Sequence, residues 1–260
     1  MKIATYNVNS INARQARILE WFDEAKPDAV VLQEIKCVDE KFPSGDFEDR
    51  GYNVAVHGQK TYNGVALLSK HPIEDVTRGL PGDTSDDQAR YIEAVICPGD
   101  KAPVRLGGLY LPNGNPAPGP KYDYKLKWMK RLKKRAEKLL ALEEAFVLAG
   151  DYNVIPQDED CYDPAAWAED ALFLPETKAA FREILNLGLT EAVRQIEPTK
   201  TLFTFWDYQR GAWEKDHGIR IDHHLLSPQA ADRLKKAGVD RKVRGREKPS
   251  DHVPVWIELD

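Results

Sequence analysis

Residues 218–227, GIRIDHHLLS, set Asp222, His223 and His224 side by side in an apolar run that otherwise reads as a buried strand. An aspartate with two histidines could be a metal site or an acid/base pair, or one of the three could matter alone. A strand alternates its side chains between two faces, so Ile219, Ile221, His223 and Leu225 share one face and Arg220, Asp222, His224 and Leu226 the other. Asp222 and His223 then point oppositely and are poorly placed to ligate one ion. Other reactive side chains punctuate strand ends: Asn7 and Asn9 after KIATYN, Glu34 after DAVVLQ, Asn113 after GGLYLP, Asp151 and Asn153 after FVLAG. Asp251 and His252, in PSDHVP, precede the last strand. Carboxylates and amides placed this way can converge on one sheet edge, where α/β proteins commonly bind ligands.

The elements that must position them are short, β-branched runs at 2–7, 28–33, 52–58, 63–69, 91–97, 104–111, 146–151, 218–227 and 253–259, all read as strands. Some are joined by turn-rich segments and others by helical stretches, which predicts sheets mixing antiparallel hairpins with crossovers. Apolar spacing near 3.6 residues predicts helices over 12–26, 122–142 and 175–186. The first stops before Pro27, and the third begins with Pro175 and ends before Gly188.

The chain has 260 residues, 42% hydrophobic and 30% charged, without a Gly/Ser linker, which argues for one large domain over 1–260 and against disordered or membrane classes. No apolar leader follows Met1, so a cytoplasmic protein is expected. Cys37, Cys97 and Cys161 lie far apart, against both a disulfide framework and a zinc cluster. The net charge of −5 argues against a uniformly basic surface but leaves room for a local basic patch.

Taken together, YNVNSI, LQEIK, YLPNG, LAGDYNV, FTFWDY, GIRIDHHLLS and SDHVPV, in this order, resemble the exonuclease III family of abasic-site endonucleases, within the larger endonuclease/exonuclease/phosphatase superfamily. With its first strand starting at residue 2, the chain is most similar to the bacterial branch. The resemblance implies an α+β fold, a four-layer α/β/β/α sandwich of two packed mixed sheets flanked by helices. It implies a Mg²⁺-dependent repair nuclease, monomeric, acting on double-stranded DNA. Such an enzyme cuts 5′ to abasic sites, removes nucleotides 3′→5′ and clears blocked 3′ ends. The alternative is another phosphoesterase of the superfamily, a nonspecific deoxyribonuclease or an inositol-phosphate or sphingolipid phosphatase.

Phosphodiester hydrolysis needs positive charge on the phosphate oxygens, a positioned water and help for the departing oxygen. Oxygen donors without a cysteine or histidine cluster suit a hard cation, Mg²⁺ with Mn²⁺ as a substitute. Glu34 is the first-choice ligand, Asn9 and Asp251 the weaker ones. The family role of Asp151 is to activate the water or to protonate the leaving group, with Asn153 holding water or phosphate. Asn7 would hydrogen-bond this cluster, Tyr110 would donate to a phosphate oxygen, and His252 would contact the scissile phosphate. In the family Asp222 pairs with that histidine, leaving His223 and His224 as packed strand residues.

Two basic segments and one aromatic cluster are candidates for holding DNA. In 121–138, KYDYKLKWMKRLKKRAEK, Lys121, Tyr122 and Lys125 lie nearest the Tyr110 edge and, with Asn113, are the expected contacts. The run 241–248, RKVRGREK, leads into PSDH and could meet flanking phosphates. Trp206, among Phe205, Tyr208 and Trp213, is the expected wall of an abasic-sugar pocket, with Ile219 standing where some relatives carry tryptophan.

Overall fold

In the computed structural model, which describes residues 1–99 and 101–260, the apolar runs become strands covered on both faces. Chain order is β1 (Lys2–Asn7), β2 (Ala29–Gln33), β3 (Asn53–His57), β4 (Val65–Ser69), β5 (Ile73–Arg78) and β6 (Tyr91–Ile96). Then come β7 (Val104–Tyr110), β8 (Phe146–Asp151), β9 (Thr190–Glu191), β10 (Asp222–Leu226), β11 (Leu234–Val239) and β12 (Val255–Leu259). Among the described residues they form two six-stranded sheets, ordered β11-β12-β1-β2-β4-β3 and β5-β6-β7-β8-β10-β9. Both sheets are mixed: β1/β2 and β7/β8 are parallel, whereas β1/β12 and β8/β10 are antiparallel.

Period-2 alternation divides each strand between two cores. Ile3, Ala29, Val31 and Leu67 of the first sheet meet Ile92, Leu106, Val147 and Ala149 of the second in the central layer. The intervening residues Ala4, Tyr6, Val30 and Leu32 pack outward against Ile18, Trp21 and Phe22 of the helix Ile11–Ala25. On the other side Leu109, Phe146 and Leu148 meet Trp128, Met129 and Leu132 of the helix Pro120–Leu140 and Phe181 of the helix Pro175–Leu185. A strand buried on both faces must be apolar throughout, which is why AVVLQ and FVLAG do not alternate with polar residues. The result is the four-layer α/β/β/α sandwich.

The three expected helices form, displaced by one or two residues at their ends. Three strands carry too little apolar signal to be read in advance: β5 and β11 lie on sheet edges and expose much of their surface, and β9 has two residues. The strand expected at 218–227 begins at Asp222, because Ile219 instead bridges to Cys161 and Phe205. No described helix is long and apolar enough to cross a membrane.

Arg220, His223 and His224 of GIRIDHHLLS are structural. Arg220 is buried and makes two hydrogen bonds to Asp160, at 2.8 and 3.1 Å, and an ion pair with Glu191 at 3.1 Å. It also meets His223 Nδ1 at 3.1 Å, while His223 Nε2 lies 3.0 Å from the Val154 carbonyl. Arg220→Met removes the cation between two buried carboxylates and should lower unfolding free energy by about 3–5 kcal/mol in urea titrations; a loss below about 1 kcal/mol would contradict this account. His224 is buried, its ring nitrogens have no hydrogen-bond partner among the described residues, and burial drives its pKa to about 3, so it stays neutral.

Candidate active site

Strand register assembles the first half of the site. Asp151, the last residue of β8, lies beside Tyr110 of parallel β7 and opposite Asp222 of antiparallel β10. Gly150 is required there, since a Cβ would fall 2.0 Å from the Leu109 carbonyl oxygen. The second half comes from the facing sheet, where β1 ends at Asn7 and Glu34 follows β2. Asn7 spans the seam: its amide donates to Asp151 Oδ2 at 3.0 Å and to Glu34 Oε1 at 2.9 Å.

The chain turns sharply after these strands, and the turns are strained. Asn9, Glu34, Lys36 and Asn153 have φ between 43° and 54°. Asparagine tolerates this left-handed region, but Glu34 and Lys36 each give up ~1–3 kcal/mol to occupy it. Backbone bonds hold them there: Ser10 N donates to the Glu34 carbonyl at 2.7 Å, and Lys36 N to the Asn63 carbonyl at 3.0 Å.

His252 arrives on the segment preceding β12, which is anchored by a 2.7 Å bond from Ser250 Oγ to the Asn7 carbonyl. Its Nδ1 lies 2.9 Å from Asp222 Oδ2, and its Nε2 lies 3.7 Å from Asp151 Oδ2. Burial opposes a charge on this imidazole, but Asp222 and Asp151 outweigh it and raise the pKa to about 10. Burial, helped by the Asp222 charge, pushes Asp151 up to about 7 against the pull of His252. Glu34 is the counterpart: burial would raise it, but Lys36 at 2.8 Å and the Asn7 amide bring it below its usual value. The Tyr110 hydroxyl, pushed well above its ordinary pKa by burial and then by Glu34 and Asp151, remains a donor.

Ligand atoms of Glu34, Asp151 and His252 lie within 4.8 Å of one another. An imidazolium cannot coordinate a cation, and the Asp222 charge, by favouring the protonated form of His252, disfavours it as a ligand. The donors that remain are carboxylate oxygens, with Glu34 ionised and partly open to solvent, a set that fits a hard divalent cation needing few protein ligands. The weaker ligand candidates are displaced from this group. Asn9 Oδ1 accepts from Lys36 Nζ at 2.6 Å and its amide donates to Asp251 Oδ1 at 3.1 Å, so Lys36 stands between that pair and Glu34.

The expected DNA contacts divide sharply. Asn113 and Lys121 are exposed and line one small cavity with Arg90. Tyr122 is buried, its hydroxyl 3.0 Å from Thr177 Oγ1, and leaves little of its side chain open to DNA. Lys125, expected on the surface, is wholly buried and donates to the Asn113 and Asn153 carbonyls. Helical spacing explains this correction: Lys125 precedes Trp128, Met129 and Leu132 by 3, 4 and 7 positions and shares their inward stripe. Trp206 is also corrected, because its ring is fully buried with Nε1 donating to Asp216 at 3.0 Å. In the run 241–248, Arg241, Arg244 and Arg246 are committed to Asp216, the Trp206 carbonyl and Glu24, leaving Lys242 and Lys248 exposed.

Some residues at the site were not anticipated. Lys36, two positions after Glu34, neutralises it, and its place in LQEIK was the available signal. Phe205 sets its ring edge-on to His252 at 5.0 Å and lines a cavity of about 350 Å³ with Tyr162, Trp167 and His217. Arg90 stacks on the Tyr110 ring at 4.8 Å, which no local pattern announces.

Known proteins are similar to this chain along its whole length. The chain is 34% identical to exodeoxyribonuclease III of Haemophilus influenzae, with all of both chains aligned. The Neisseria nuclease NExo, solved as a 3′ phosphatase bound to a product DNA hairpin, is 38% identical with a TM-score of 0.95, covering 100% of this chain and 99% of its own. An AP endonuclease from Archaeoglobus fulgidus is 37% identical with a TM-score of 0.94 over the same shares. The model of the endonuclease/exonuclease/phosphatase family matches residues 4–252. With the acid and histidine side chains of two sheets meeting at one seam, and these relatives aligned along the whole length, the chain belongs to the endonuclease/exonuclease/phosphatase family, in its exodeoxyribonuclease III branch.

Proposed function

We propose that the protein is a Mg²⁺-dependent DNA repair nuclease, a cytoplasmic monomer. It cuts the backbone 5′ to abasic sites and trims or unblocks the 3′ ends of duplex DNA. One observation carries the reading: Asn7 holds Glu34 and Asp151 together while Asp222 holds the His252 imidazole 3.7 Å from Asp151 and favours its charged form. A phosphodiester seated there meets a cationic donor, a carboxylate able to exchange a proton near neutrality and a second, ionised carboxylate. A phosphatase for inositol phosphates or lipids is not favoured, since the similar proteins are an exodeoxyribonuclease, an AP endonuclease and a 3′-5′ exonuclease by name.

In this reading His252 and Tyr110 donate to the phosphate oxygens. Asp151, aligned by the Asn7 amide and by the Asn153 backbone N–H at 2.9 Å, takes the proton of the attacking water. Glu34 would hold the cation, which supplies positive charge to the phosphate oxygens and the departing 3′ oxygen. Phe205 replaces Trp206 as the aromatic wall, and Asn113, Lys121 and Arg90 meet the flanking strand.

A 5′-labelled duplex carrying one abasic site tests substrate, cut position and cation together. Product cut 5′ to the lesion should form with Mg²⁺, vanish with EDTA and return when Mg²⁺ is restored. Equal cleavage in EDTA would overturn the mechanism, and cleavage of inositol phosphates in preference to DNA would overturn the substrate.

A further inference from the structure

Lys125 is a buried cation without a carboxylate partner among the described residues. Its ammonium donates to two backbone carbonyls, that of Asn113 at 3.0 Å and that of Asn153 at 2.5 Å. Those residues sit on the loops leaving the parallel strands β7 and β8 at the active-site edge. The same loops are tied by side chains: Asn113 Nδ2 donates to Asn153 Oδ1 at 3.2 Å, and Asn153 Nδ2 to the Leu111 carbonyl at 2.9 Å. Gly114 closes over the lysine stem, where a Cβ would fall 2.7 Å from Lys125 Cδ. The chain of bonds ends on the reacting group, since Asn153 N–H donates to Asp151 Oδ1.

We propose that Lys125 is a positioning residue for the nuclease reaction, a buried clamp that fixes the Asn113 and Asn153 loops and through Asn153 sets the orientation of the Asp151 carboxylate. Packing alone does not call for a lysine here. The neighbouring inward positions are Trp128, Met129 and Leu132, and an unbranched apolar side chain would fill the same volume without burying an ammonium. Burial draws the Lys125 pKa down to about 7, the expense of placing the group where only carbonyls receive it. The clamp joins loops from adjacent strands that share no turn, adding a buried tie to the sheet pairing and to the Asn113–Asn153 and Asn153–Leu111 bonds.

The inference rests on the nuclease reading, and its test is Lys125→Met assayed as purified full-length protein on the abasic duplex with Mg²⁺. Turnover should fall about 10–100-fold while KM stays within about twofold, the pattern of a misplaced reacting group rather than lost binding. Salt dependence of KM should match the wild type, because no phosphate contact is removed. Lys125→Gln, which keeps an N–H donor, should recover part of the lost turnover at an unchanged KM. If Met fails to fold, Gln alone decides: a lower kcat at constant KM supports the clamp. Wild-type kcat in a folded variant, or a loss confined to KM with a weaker salt slope, overturns it. A wild-type protein that leaves DNA uncut would instead refute the nuclease reading.

Discussion

Asp151→Asn should fold normally and lose about 10²–10⁴-fold in turnover on the abasic duplex, the range for a positioned acid/base group. Asparagine keeps the shape, and its single carbonyl oxygen can still accept from the Asn153 backbone N–H, but its NH2 group cannot replace the oxygen that accepts from Asn7 and it cannot take a proton. Its stability should move the other way. The folded pKa of Asp151 is raised from 3.8 to about 7, so the native state binds the proton more tightly than the unfolded chain. Stability from this group is therefore present below pH 3.8 and lost as pH rises to about 7, where a carboxylate must ionise in a buried site that also holds Asp222. Above pH 7 the neutral asparagine avoids burying that charge, and the metal-free variant should melt at or above the wild-type temperature. Turnover within about threefold of wild type would remove Asp151 from the chemistry. A large drop in melting temperature would show that the carboxylate serves the fold instead.

Asp222→Asn should produce a loss that depends on pH. The His252 pKa is raised from 6.5 to about 10, with Asp222 the foremost favourable charge. The associated stability is fully present below pH 6.5 and is lost as pH climbs through about 10. Without Asp222, burial regains influence and the imidazole gives up its proton at lower pH. Turnover should then fall about tenfold at pH 6 and about 100-fold or more at pH 8, moving the alkaline limb of the kcat profile to lower pH. Parallel profiles for variant and wild type would separate Asp222 from His252 function. His223→Gln should instead show up in unfolding, since His223 faces Arg220, Val154, Tyr152 and Phe181.

Alternation alone separates Asp222 from His223, but nothing local states that Asp222 stands opposite Asp151 or meets His252 thirty positions later. Those relations depend on β10 pairing antiparallel with β8 and on the last segment crossing from the other sheet. The seven motifs supplied them only through the family they resemble. The basic and aromatic segments were read less well, because charge counts do not say which face a residue occupies. Lys125 shows the difference. Its spacing to Trp128, Met129 and Leu132 is visible in the sequence and marks an inward position, yet the charge suggested the surface.

By itself the sequence determined which side chains end β1, β2 and β8, because those strands are buried on both faces and largely apolar, with most of their polar residues gathered at the ends. Asn7, Glu34 and Asp151 were legible for that reason. Only the tertiary structure decided which cations are spent inside the protein, since burial depends on packing against chain distant in sequence. Lys125 is enclosed by two loops, Arg244 by the Trp206 backbone and Arg220 by Asp160 and Glu191, while Asn113 and Lys121 remain open to a phosphate backbone.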